Sequence, residues 1–116
     1  MPYATVTRAD GRVVGSRCLV ADRPWLRMRG LLGRSGLGPG EGLLLLPAGS
    51  VHTAFMRFPI DVVFLDRELV VVDVVRDLKP WRAAGRRGAR SVLELASGAA
   101  GFLAAGDRLA VATIDA

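Results

Sequence analysis

Two apolar runs, Ile60-Asp61-Val62-Val63-Phe64-Leu65 and Leu69-Val70-Val71-Val72-Asp73-Val74-Val75, stand three residues apart in the middle of the chain and restrict its fold more than any other feature. β-Branched and aromatic side chains fill both, and such residues suit a pleated, largely buried surface better than a helix. Asp66-Arg67-Glu68 between them reads as a short turn, so the spacing predicts an antiparallel hairpin. Pro59 has no N–H to give to a ladder and should mark a bulge or edge just ahead of the first strand. Asp61 then enters an apolar strand, where a carboxylate must find a partner or stay protonated.

The flanking sequence predicts further short elements. Tyr3-Ala4-Thr5-Val6-Thr7 alternates and meets Asp10-Gly11, a two-residue turn signal, before Val13-Val14, so a hairpin opens the domain. A short strand is expected over 17–20 and a buried one over 42–46, while 51–58 alternates less cleanly. Asp22 can cap a helix over 23–32, with Pro24 in its first turn and Trp25, Leu26, Met28, Leu31 and Leu32 on its apolar face. Strands over 91–95 and 108–113 bracket a second short helix over 97–104, capped by Ser97 and stopped by Gly106. The expected fold class is α+β, one compact domain over 1–116 with a mostly antiparallel, barrel-like sheet and two short helices.

A chain of 116 residues is long enough to bury a core unaided, and its single cysteine, Cys18, excludes an internal disulfide framework. Its longest apolar stretch, Leu43 to Leu46 with Pro47 and Ala48, falls far short of the ~20 residues of a membrane helix, so no membrane span is expected. The opening residues carry no basic stretch followed by an apolar segment, and a cytoplasmic location is expected. The net charge of +5 rests on arginine, since Lys79 is the only lysine. Arginine forks suit phosphates and carboxylates, but the basic residues spread along the whole chain, as GC-rich coding would give, and form no single stripe.

Four blocks carry a family resemblance over nearly the whole length: Arg29-Gly30-Leu31-Leu32-Gly33-Arg34, His52-Thr53-x-Phe55-Met56-Arg57-Phe58-Pro59-Ile60-Asp61 with Phe64-Leu65-Asp66, Leu93-Glu94-Leu95-Ala96-Ser97-Gly98, and Gly106-Asp107. The chain resembles domain-of-unknown-function family 192, in a branch with His-Thr and Phe-Met and with Ala54 in place of an aromatic. The resemblance implies a β-rich, barrel-like domain with two helices. It implies no reaction.

The candidate ligand-binding residues are His52, Thr53, Asp61 and Glu94, polar groups set at the ends of or inside apolar strands. His52 suits a general base, but no activated-nucleophile signature surrounds Cys18, Ser50, Thr53 or Ser97, so no catalytic residue is assigned. A lone histidine without ligand spacing assigns no metal, and no cofactor is expected. Asp61 is first a structural acceptor of backbone N–H bonds at the bulge or a partner of Arg57. Glu94 faces either a pocket or water. Phe55, Met56 and Phe58 read as core.

Lys79, Trp81, Arg82, Arg86, Arg87 and Arg90 form a basic loop with one aromatic, read first as a solvated loop whose tryptophan folds back on the body. The leading functional expectation is a non-enzymatic binding or accessory domain whose cleft takes a small polar molecule or a protein segment. A hydrolase-like enzyme using His52 comes second. Nucleic-acid binding through residues 79–90 comes third, because no recognised RNA- or DNA-binding motif accompanies the loop.

Overall fold

The computed structural model describes residues 2–23 and 31–114. Nine strands follow one another: β1 (Tyr3–Arg8), β2 (Val13–Ala21), β3 (Glu41–Leu45), β4 (Ser50–His52), β5 (Ile60–Leu65), β6 (Val71–Leu78), β7 (Ala83–Gly85), β8 (Ser91–Ala96) and β9 (Leu109–Ile114). Seven form one sheet in the order β6-β5-β8-β3-β2-β1-β9, and β4 pairs with β7 in a separate two-stranded ribbon. β2 and β3 run parallel; the other neighbours are antiparallel.

The central strands explain the architecture. Every residue of β5 is buried, as are the first five of β8, so the sheet is covered on both faces. Val63, Leu65, Leu93 and Leu95 join one apolar cluster with Val6, Cys18 and Leu109, and Ile60, Val62, Phe64 and Val92 join another with Leu43 and Met56. Val51 of β4 and Ala84 of β7 pack against this second cluster, so the ribbon forms part of its cover. The predicted hairpin forms, with Val63 opposite Val74 and Phe64 opposite Asp73. The opening hairpin also forms, but its loop holds three residues, since Arg8 accepts and donates bonds around residues 9–11 and Gly11 turns at φ 92°.

The expected fold class needs two corrections. The sheet does not close into a barrel: its edge strands β6 and β9 meet only at one corner, through the isolated Val70–Arg108 bridge. Two-sided burial of the central strands requires cover on both faces, which a simple barrel wall exposed on its outside does not supply. Among the described residues there is also no helix. The helix expected over 23–32 falls mostly on residues 24–30, outside the described part. The helix expected over 97–104 is a run of separate turns, in which Ala99, Gly101 and Leu103 each donate to the residue three before. Gly98 at φ 92° breaks the right-handed path, and Asp61 takes the N–H groups of Gly98 and Ala100 that a helix would leave at its first turn. Among the described residues no helix is long and apolar enough to cross a membrane.

Candidate functional site

Asp61 is fully buried at the register shift between β5 and β6. Its Oδ1 accepts the N–H of Asp77 at 2.9 Å, and Oδ2 accepts those of Gly98 at 3.0 Å and Ala100 at 2.9 Å. Three backbone donors thus stabilise the carboxylate, and no ion pair with Arg57 is needed. Asp77, the bulged residue at φ 54°, pairs with Lys79 and accepts a bond from the Ser97 hydroxyl at 2.6 Å, and these two, Lys79 first, hold its carboxyl below the usual range. Asp61 therefore ties three segments together and leaves no oxygen facing a cleft.

Thr53 has a comparable role. Its hydroxyl accepts the Arg82 N–H at 2.8 Å and donates to the Lys79 carbonyl at 2.6 Å, while its own N–H donates to the Arg82 carbonyl at 2.8 Å. Its carbonyl accepts the N–H groups of Met56 at 3.1 Å and Trp81 at 3.0 Å. One buried threonine thereby closes two turns, 53–56 and 79–82, against each other.

The two turns present an aromatic pair. Phe55 and Trp81 both adopt φ 65°, in the left-handed region that bulky side chains avoid. Both are open to solvent, Phe55 at 71% and Trp81 at 60%, and their ring centroids lie 4.6 Å apart with planes tilted by 60°. Trp81 is not folded back on the body as the solvated-loop reading expects, and Phe55 is not core, although Met56 beside it is. Adjacent apolar residues in extended chain face opposite sides. Phe55 and Met56 lie on a turn and not in a strand, so no such alternation in the sequence marks Phe55 as the outward residue.

His52, exposed at the end of β4, lies opposite Ala83 of β7. Ser50, His52, Ala83 and Gly85 form the outer face of the ribbon, bordering a shallow cleft of about 450 Å³. Among the described residues no hydrogen bond joins His52 to a nucleophile or an acid. Cys18 is fully buried in the first cluster, and burial pushes its thiol up to about 11, so it supplies no thiolate. No group of histidine, cysteine and acidic residues suited to a metal occurs among the described residues.

Glu94 lies in the middle of β8, with Leu43 and Val62 as its cross-strand neighbours. It is 5% exposed, its Oε2 has no hydrogen-bond partner among the described residues, and burial pushes its carboxyl up to about 7. Asp61 lies opposite Leu95 in the adjacent strand, which puts Asp61 and Glu94 on opposite faces of the sheet. His52, Thr53, Asp61 and Glu94 thus line no common cleft. The structure instead groups His52 and Thr53 with Phe55, Trp81 and Arg82 around the ribbon. Arg82, Arg86, Arg87 and Arg90 of the basic loop are all exposed, and Arg86 is held by Asp73 at 2.7 Å and lies over the Phe64 ring, 5.4 Å from its centroid.

Comparisons with known proteins cover the same architecture. A protein of unknown function from Novosphingobium aromaticivorans superposes with a TM-score of 0.80 at 25% identity, over 93% of this chain and 83% of that one. A Sinorhizobium meliloti protein at 22% identity shares the fold, with a TM-score of 0.82 over 95% and 92% of the two chains. A UPF0127 protein of Thermococcus sibiricus is 33% identical over 107 residues; the match covers 84% of this chain and 66% of the relative's length. The family model DUF192, described as "Uncharacterized ACR", matches residues 5–111, and the chain belongs to that family.

Proposed function

We propose that this chain is a non-enzymatic binding domain and that its recognition element is the Phe55–Trp81 pair beside the His52 end of the β4–β7 ribbon. One observation carries the reading: two large aromatic residues, both at φ 65°, meet in solvent on turns closed by one buried threonine. A non-glycine residue in this region costs about 1–3 kcal/mol, and such outliers gather at ligand-binding positions. Leaving both rings in water forgoes the burial that repays an aromatic side chain. A ligand that covers the rings supplies that burial. The position of His52, with no acid or nucleophile bonded to it among the described residues, favours binding over hydrolysis.

The test is nuclear magnetic resonance mapping with a library of heteroaromatic and saccharide fragments. The expected result is that hits cluster on Phe55, Trp81, Arg82 and His52 and vanish in Phe55→Gly/Trp81→Gly. Hits confined to the cleft of about 430 Å³ bordered by Leu46, Leu69 and Arg90, beyond the far end of β5, would move the site elsewhere.

A further inference from the structure

We infer that the ribbon and its aromatic pair bind single-stranded nucleic acid, a ligand class that rests on the Phe55–Trp81 reading and extends it. Charge selects the class. Residues 79–90 contain five basic residues and no acid. The nearby carboxylates of Asp73 and Asp77 are engaged by Arg86 and Lys79. Arg57, Arg82 and Arg87 remain exposed without a carboxylate partner among the described residues. A polyanion therefore meets net positive charge along this side of the molecule.

Shape narrows the class further. The strip that follows Arg82 is the bare outer face of β7, where Ala83 and Gly85 project almost nothing, while Arg86 beyond it turns to Asp73 and the Phe64 ring. At about 3.3 Å per residue that strip spans roughly 13 Å, enough for a short stretch of extended backbone. At its end stands Trp81 with its indole exposed, and Ser50 and His52 flank the strip with hydrogen-bonding groups. Bases stack on aromatic faces in a sequence-tolerant way while arginines take the phosphates. An acidic peptide would use the same cations but gives no reason to hold two aromatic rings in left-handed backbone. A duplex hides the faces of its bases and is disfavoured for the same reason.

The experiment is fluorescence anisotropy with labelled oligo(dT) and oligo(U), run against a duplex of equal length and polyglutamate of equal charge. The expected result is salt-dependent binding that prefers the single strand over both controls. Phe55→Ala/Trp81→Ala should weaken it at least tenfold. Arg82→Ser/Arg87→Ser should lower the salt slope by about 1.4, since each released single-strand contact contributes about 0.7. Equal binding of polyglutamate, or affinity unchanged in the aromatic variant, would reduce the effect to charge and overturn the inference. Absence of oligonucleotide binding while fragments still map to Phe55 and Trp81 would overturn the ligand class alone; absence of both would overturn the recognition surface as well.

Discussion

Asp61 and Glu94 are acids buried in neighbouring strands of one sheet, on opposite faces, and the fold treats them in opposite ways. Asp61 receives three backbone N–H groups from segments 16, 37 and 39 residues away, so its charge becomes a fastener. Glu94, between Leu43 and Val62, receives no hydrogen bond at Oε2 from the described residues, and desolvation raises its carboxyl toward neutrality. Burial alone therefore does not identify a site in this chain. What distinguishes the ribbon is the reverse condition, apolar side chains kept out of the core at the expense of backbone strain.

The contrast is sharpest on removing each carboxyl. Asp61→Ala leaves the N–H groups of Asp77, Gly98 and Ala100 without their acceptor, Ala100 being the fully buried one, and should lower unfolding stability by about 3 kcal/mol, read as a shifted urea midpoint. An Asp61→Ala midpoint equal to that of the exposed-turn variant Asp10→Ala would break the comparison. Glu94 should act through pH. Its folded carboxyl titrates at about 7 and its unfolded one near 4.5, so the native state holds a proton that the unfolded chain has already released. Stability should then fall as pH rises across that window, by about 3 kcal/mol in total, and level off above it. Glu94→Gln should flatten this dependence and raise stability at pH 8; a wild-type profile that is flat between pH 5 and 8 would contradict the assignment.

Thr53→Val tests the fastener beneath the aromatic pair. Loss of its hydroxyl leaves the Arg82 N–H and the Lys79 carbonyl short of a partner, for an expected cost of about 1–3 kcal/mol. The indole resonance of Trp81 should move as the two turns loosen. An unchanged resonance would show that the backbone bonds of Thr53 suffice.

The framework was readable where side-chain type and period agree. The run 60–65 appears as β5 without a shift in its limits, because all six residues satisfy either a β-branched or a core position and Pro59 fixes the start. The sequence offered Thr53 only as a cleft residue, whereas it is buried and bonded to Lys79 and Arg82; Asp61's first reading, as an acceptor of backbone N–H groups at a bulge, matches its bonds. The turns over 97–104 were not readable, since the alanines there favour a helix locally and the deciding bonds come from Asp61, more than 35 residues away. β7 was hidden as well: Ala83-Ala84-Gly85 has little strand propensity and pairs because β4 supplies the ladder. Nor does a period reveal Phe55 and Trp81 as partners. They meet only because Thr53 joins two turns distant in sequence.

The smallest stability effect belongs to the pair itself, and it tests the central claim most directly. The measurement is the unfolding free energy of Phe55→Gly/Trp81→Gly alongside fragment binding to the same variant. Glycine relieves the left-handed strain at both positions but gives up one ring contact and some unfolded-state entropy, so stability should stay within about 1 kcal/mol of the starting protein while binding disappears. A loss of roughly 3 kcal/mol or more, the usual cost of deleting a buried aromatic, or full retention of binding, would show that these rings serve the fold and not a ligand.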